Sequence, residues 1–283
     1  MTDPGSSIPK VILSIFPGID LLGRAFEEQG FCLVRGPDLL WGGDIRRFFP
    51  PPGVFWGILG GSPCQDFSGL RRCEPTGYGK EMLAEFKRVI EEAGPEWWLL
   101  ENVARVPNCD IAGYVTQRLD INEGWYGNST RLRHVQFGSL SGRLLNVTRW
   151  RVTATQPAAV ANDSRSFREV CRLQGLPDDF DLPGFLMVEK IKAVGNGVPM
   201  NMGRILAGAV KKAYSEPVTV QVSLDGRLVK PGVCACGCGR RVTGRKRYYD
   251  YSCRKRAQRK RDRVLSQDRD LAKLHNGSAR SQA

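Results

Sequence analysis

Four short apolar runs, each stopped by a turn rich in Gly, Pro or polar residues, decide the architecture open to this chain. KVILSIF (residues 10–16) halts at Pro17-Gly18, and FCLV (31–34) runs into Gly36-Pro37. VFWGILGGSP (54–63) enters a Gly-Gly-Ser-Pro turn, and EWWLLENV (96–103) ends on Glu101-Asn102. Runs of this length suit strands buried on both faces. Between them, LLGRAFEEQG and EMLAEFKRVIEEAG carry apolar residues at helical spacing, the first stopping at Gly30 and the second at Gly94-Pro95. Strands alternating with helices predict an α/β fold, a Rossmann-like doubly wound and mostly parallel sheet. Such sheets bind ligands at the C-terminal ends of their strands. The polar segments FPGID, GGSPCQ and ENV fall at those ends.

From about residue 125 the texture changes. WYGNSTRLRHVQFGS reads as β and loop, SFREVCRLQG as a short helix, and KIKAVGNGVPMNMGRILAGAVKKAY as a turn followed by a long helix. The expected division is a catalytic core over 1–124, a small second lobe over 125–186, a return to the core over 187–214, and a linker with a basic tail over 215–283. Charge supports the last boundary. Residues 211–283 carry 19 Lys or Arg and 6 Asp or Glu, so the whole excess of +13 lies there and the first 210 residues are neutral. A basic appendage on a neutral body points to a polyanionic partner. No apolar run reaches the ~18 residues of a membrane span. The start, MTDPGSSIPK, lacks the basic flank and apolar stretch of a secretory signal, so a cytoplasmic protein is expected.

Of nine cysteines, Cys64 is the one set for chemistry: it follows a buried strand in a tight Gly/Pro turn, at the expected ligand edge. A thiolate there is a nucleophile, and positive neighbours would favour it. Glu101 ends the next apolar strand, so parallel pairing would bring a carboxyl to the same edge.

The order of segments resembles the cytosine-5 DNA methyltransferase family over about residues 10–212. FPGIDLLGRAFEEQGF is similar to its cofactor motif, GGDI (42–45) to its third, GGSPCQDFS to its nucleophile motif and ENV to its sixth. STRLRHVQFG, FREVCRLQGLPDDF and GNGVP (195–199) are similar to the eighth, ninth and tenth. Seven motifs in family order are far more specific than one.

The resemblance implies S-adenosylmethionine as cofactor and a cytosine flipped from double-stranded DNA as substrate. Cys64 would attack carbon 6 while Glu101 contacts ring nitrogen 3 and the exocyclic amine. Arg131 and Arg133 would hold the ring and a phosphate near the thiolate and lower its pKa. Phe16, Gly18, Ile19, Asp44, Ile45, Pro63, Asn196 and Val198 would bind the cofactor. Arg71 and Arg72 would bind phosphate from a lid. The chain departs from the family at Ser14, where an acid is usual, at Asp20-Leu21, where Gly-Gly is usual, and at Ser129, where Gln is common. Asp38 is the candidate for the ribose acid. The region between the eighth and ninth motifs, about 139–164, is short for a target-recognition segment, which suggests a short or relaxed recognition site.

The tail CACGCGRRVTGRKRYYDYSCRKRAQRKR resembles small zinc-ribbon-like modules ending in a basic helix. It offers Cys234, Cys236, Cys238 and Cys253 to one structural Zn2+, with Tyr249 where such modules often have Cys or His. Arg254, Lys255, Arg256, Arg259 and Lys260 would bind the phosphate backbone without reading sequence. A monomer is expected, with or without a cognate restriction nuclease. Two rivals stay open on sequence: a transfer-RNA cytosine-5 methyltransferase, and a catalytically silent DNA-binding regulator.

Overall fold

A computed structural model describes residues 10–69, 74–151 and 154–215, and in the tail 221–222, 228–229, 232–233, 241–242, 251–255 and 258–259. Two units divide the chain, residues 1–217 and 218–283.

The first unit is built on a six-stranded mixed sheet. β1 (Val11–Ile15), α1 (Leu21–Glu28) and β2 (Cys32–Arg35) form the opening β-α-β unit. β3 (Gly57–Gly60), α2 (Tyr78–Ala93) and β4 (Trp97–Asn102) form the next. β5 (Val115–Asn122), the short β6 (Ser129–Thr130) and β7 (Leu132–Ser139) follow. The strand order is β2-β1-β3-β4-β7-β5. The first four are mutually parallel, and β7 runs antiparallel between β4 and β5. The sheet therefore takes in residues 132–139, which composition had grouped with the second lobe. Continuous burial along β7 from His134 to Ser139 and its pairing to β4 explain why: Val135 and Phe137 enter the core beside Leu99.

α1 and α5 (Met200–Ser215) cover one face of the sheet through Phe26, Met202, Leu206 and Val210. α2 covers the other through Met82, Phe86, Val89 and Ile90. The tryptophan pair of β4 splits between these faces. Trp97 packs with Phe26 and Phe137 (ring centroids 6.1 Å in each case), and Trp98 meets Phe86 edge-on. Each indole lies on a glycine of a neighbouring strand. A Cβ on Gly57 would come within 2.2 Å of Trp97, and one on Gly138 within 2.2 Å of Trp98. Glycine at these positions is therefore a packing requirement.

The second lobe contains β8 (Gln156–Pro157), paired to β6, and then α3 (Phe167–Leu173) and α4 (Met187–Asn196). Ser166 starts α3 with a reciprocal capping box to Glu169. Val170, Cys171, Val194 and Met200 pack on Leu21 and Ala25 of α1, which fastens the lobe to the core. KIKAVGNG, expected as a turn, is helical through Asn196. The apolar side chains Ile191, Ala193 and Val194 join this cluster and hold the helix past Gly195, whose added Cβ would strike the Val160 carbonyl at 2.2 Å.

In the second unit, β9 (Gln221–Val222) pairs with β10 (Leu228–Val229), and β11 (Gly232–Val233) with β12 (Arg241–Val242). Residues 251–255 are helical, as are 258–259.

Glu123, in the turn after β5, is 1% exposed and accepts from Asn201 Nδ2 of α5 at 3.1 Å. Burial pushes its pKa up to about 7, against which Asn201 and other donors act. A carboxyl with a raised folded pKa contributes most below its unfolded value of about 4.3 and loses that contribution as pH rises through 7. Glu123→Gln is predicted to raise Tm by about several degrees at pH 8 and by little at pH 5. Thermal melts at the two pH values check it, and an equal shift at both would count against a charge effect.

Candidate active site

β3 and β4 pair in parallel with Gly60 opposite Leu100, so the segments that leave them start side by side. Asn102, 2% exposed, ties them together. Its Nδ2 donates to the Ser62 carbonyl (2.9 Å) and to Ser62 Oγ (3.0 Å). Its Oδ1 accepts from Val103 N at 2.8 Å. Two residues on, the Cys64 carbonyl accepts from Phe67 N and Ser68 N, both at 2.9 Å, which winds the chain into a turn. Asp66 anchors that turn to the start of α2, accepting from Thr76 N (3.0 Å) and Gly79 N (2.7 Å). Cys64 is thus held between two anchored points, and its side chain is partly buried.

Glu101 is 8% exposed and faces the same edge. Its Oε1 lies 2.8 Å from Arg133 Nε. Its other oxygen packs on Gly61, where a Cβ would come within 3.2 Å. β7 pairs with β4 so that Val135 faces Glu101 and His134 faces Asn102, which places Arg133 just beyond the end of β4.

The thiol departs from expectation. The Cys64 pKa is raised: burial is the largest cause, Glu101 adds to it, and the lowering by Arg133 and Arg131 is outweighed. Positive neighbours alone do not set a pKa when desolvation penalises the charged form.

Arg131 is also used differently from its sequence expectation. It is 4% exposed, and its guanidinium donates to the carbonyls of Ala159 (2.7 Å), Gly195 (2.9 Å) and Asn196 (3.5 Å). Burial first, and then Arg133, push its pKa down to about 9. Its donors serve the backbone, whereas Arg133 serves Glu101.

The candidate cofactor edge lies beyond β1. Phe16 (φ 53), Gly18 (φ 55) and Asp20 (φ 56) all adopt left-handed backbone, which turns the chain sharply away from the strand. Gly18 N donates to Asp38 Oδ2 at 2.8 Å, and Gly18 O accepts from Trp41 Nε1 at 2.7 Å. Ile19 and Ile45 are buried beneath this edge, while Pro63 is partly buried. Asp44 caps the 3-10 turn at 45–47, and its carboxylate is paired to Arg46 at 2.8 Å, which lowers its pKa. Asn196 ends α4, and Val198 is buried in the core below.

Several of these residues escaped sequence reasoning. Trp41, 59% exposed, stands beside the Gly18 turn and meets Phe185 edge-on. Asp20 explains two departures at once. Its carboxylate accepts from Ser14 Oγ (2.9 Å) and Gly23 N (3.1 Å), and its other oxygen is 2.9 Å from Arg35 Nε. The acid missing at the end of β1 is thereby replaced by one reaching back from the first turn of α1. The paired departures at 14 and 20 were the signal.

Other expected residues fall outside the described residues or in the second unit. Arg71, Arg72, Cys234, Cys236, Cys238, Arg256 and Lys260 lie outside the described residues. Arg254, Lys255 and Arg259 are exposed, and Cys253, just before them in sequence, is fully buried. Among the described residues, no group of three His, Cys, Asp or Glu side chains could hold a metal ion.

Comparison with known proteins follows this geometry. Residues 51–120, which contain both Cys64 and Glu101, match the sequence model of C-5 cytosine-specific DNA methylase. The chain resembles the C-5 cytosine-specific DNA methylases. Curated proteins give no match. Solved structures share the fold at low identity. One is described as a DNA modification methyltransferase encoded within a prophage (E. coli), with 12% identity and TM-score 0.57. That match covers 73% of this chain and 99% of the other. The methyltransferase EhMeth of Entamoeba histolytica matches with 8% identity and TM-score 0.56, over 73% and 99%. The Dnmt2 methyltransferase of S. pombe matches with 10% identity and TM-score 0.52, over 71% and 98%. The methylase likeness supports methyl transfer and S-adenosylmethionine as the methyl source.

The thiol's surroundings generate a signed prediction. Alkylation of Cys64 by iodoacetamide, followed by peptide mass spectrometry, is expected to rise with pH through and beyond the ordinary thiol value of about 8.5. Glu101→Gln should move that profile to lower pH, because it removes a raising charge and leaves Arg133 unpaired. Arg133→Ala should move it higher. Shifts in the same direction for both would be incompatible with the electrostatics above.

Proposed function

We propose that this chain methylates carbon 5 of cytosine in double-stranded DNA. The observation that carries this reading is the joining of Cys64, Glu101 and Arg133 at the shared end of β3, β4 and β7. The target base leaves the duplex, since its ring cannot be reached while stacked. Cys64 would lose its proton to solvent water and bond to carbon 6, opening the 5,6 double bond so that its electron pair passes to carbon 5 and the ring. Glu101 contacts ring nitrogen 3 and the exocyclic amine, which stabilises the electron-rich ring. Arg133 fixes the Glu101 carboxyl through its 2.8 Å ion pair. S-adenosylmethionine supplies the electrophilic methyl group. Carbon 5 would take that methyl with its electron pair; loss of the carbon 5 proton to solvent water would then re-form the 5,6 double bond and release Cys64 as its thiolate.

The residues present fit that cofactor. Asp38 and Asp44 can accept from hydroxyl and amine groups, and Trp41 offers an aromatic face beside the left-handed turn at Phe16–Gly18. Asn196 and Val198 close the methionine end in this reading, with Ile19, Ile45 and Pro63 along the wall.

DNA is favoured by the likeness to the C-5 cytosine-specific DNA methylases and by the basic tail. A second surface supports a nucleic-acid partner. Arg149, Trp150 and Arg151 are exposed in succession, with Trp150 edge-on to Tyr126 and Arg149 over Trp125. Aromatic faces flanked by arginines suit stacking and phosphate contact. The lid arginines Arg71 and Arg72, the zinc role of Cys234, Cys236, Cys238 and Cys253, and the phosphate role of Arg254, Lys255, Arg256, Arg259 and Lys260 belong to the same proposal. So do action as a monomer and a place in the cytoplasm.

Incubation with S-adenosylmethionine and duplex DNA containing 5-fluorocytosine should leave a denaturation-resistant adduct, because fluorine blocks loss of the carbon 5 substituent. Cys64→Ser should abolish it. Methyl incorporation into transfer RNA but not duplex DNA would move the substrate to RNA, and no adduct on varied DNA would defeat the mechanism.

Replacing Arg254, Lys255 and Arg259 together by Ala should lower duplex affinity. It should also flatten the dependence of log K on log salt by about 2 to 3, near 0.9 per lost phosphate contact. An unchanged slope would remove the tail from the interface.

A further inference from the structure

An α-helix leaves its last four carbonyls without intrahelical partners. At the end of α4 this problem is solved by two buried side chains from elsewhere in the chain. Gln174, 1% exposed and just past α3, donates from Nε2 to the carbonyls of Val194 (2.6 Å) and Gly197 (2.9 Å). Arg131 donates to the two carbonyls between them, Gly195 at 2.9 Å and Asn196 at 3.5 Å. Four consecutive carbonyls are thus held by one amide and one guanidinium. The Gln174 carbonyl also accepts from Met200 N at 2.9 Å, which fixes the start of α5 to the same point. A positive group suits this end of a helix dipole.

The segment so held, Val194–Met200, contains the two residues read above as closing over the cofactor. Its surroundings leave little room for adjustment. A Cβ on Gly195 would strike Val160 O, and one on Gly197 would come within 2.6 Å of Leu21. Arg131 in turn sits two residues before Arg133, whose guanidinium fixes Glu101. One short stretch of chain therefore serves the base-side carboxyl with one arginine and the cofactor-side backbone with the other.

We propose that Arg131 and Gln174 are positioning residues for the cofactor: by clamping the carbonyls of Val194–Gly197 they set the placement of Asn196 and Val198. Neither touches the reacting atoms. The clamp rests on the reading of S-adenosylmethionine as cofactor, and its test separates the two.

Gln174→Leu keeps the bulk and removes both donors. It is expected to raise the KM for S-adenosylmethionine about tenfold, while kcat at saturation and the KM for nucleic acid stay within about twofold. Gln174→Glu covers the case in which the leucine variant does not fold. Its protonated carboxyl can donate one bond and its carboxylate none, so its KM for S-adenosylmethionine should climb with pH where the parent protein's does not. Arg131→Lys, which keeps the charge but loses the planar fork, should fall between parent and Gln174→Leu. An unchanged KM for S-adenosylmethionine in Gln174→Leu, or a flat pH profile in Gln174→Glu, overturns the clamp. Amide hydrogen exchange without cofactor gives an independent arm: exchange across 194–200 should quicken in Gln174→Glu, and unchanged protection overturns the clamp. If the parent protein binds no S-adenosylmethionine by calorimetry, the cofactor reading fails, and the exchange data still judge the clamp.

Discussion

The parallel pairing of β3 with β4 is the constraint on which the rest of the site depends. It sets the Gly61–Cys64 turn beside Glu101 and Asn102, and a slip of one residue would turn Glu101 to the opposite face. The register is secured below the site by the indole of Trp97 lying on Gly57, a contact no larger residue allows. Above it, Asn102 bonds Ser62 across the two strands. Packing at one end and a hydrogen bond at the other hold the same alignment.

Charge in the site is arranged with similar economy. The pair Glu101–Arg133 sits at the edge of the sheet, partly open, where its geometry matters more than its contribution to stability. A second carboxylate, Asp20, is buried under the turn after β1 in a left-handed conformation that favours glycine. Its bonds to Ser14 Oγ and Gly23 N, with Arg35 alongside, stabilise that backbone and return an acid to the end of β1. Positions 14 and 20 are one feature distributed over two residues, and a substitution at either is felt by the other.

Much of this was legible in the sequence because the determinants are local. Apolar runs of strand length, Gly94 after α2 and the Ser166–Glu169 cap specify their elements without reference to distant residues. The turn that carries Cys64 was legible because Gly-Gly-Ser-Pro directly follows an apolar run of strand length. What escaped depends on partners far apart in the chain. The donors of Arg131 meet carbonyls some 64 residues away, and only a folded chain shows that it serves backbone while Arg133 serves a carboxyl. The extension of α4 through Asn196 depends on packing against α1, against the local preference of a Gly-Asn-Gly stretch. The thiol's raised pKa likewise reflects burial, which no spacing of arginines reveals.

That burial bears on how the protein endures between turnovers. Peroxides and electrophiles react with thiolates far faster than with thiols. The burial that raises the Cys64 pKa lowers the thiolate fraction on which such reagents act, so the low polarity around this sulfur slows its oxidation and alkylation. The polarity of one turn thus sets how this sulfur meets reagents that arrive from solvent.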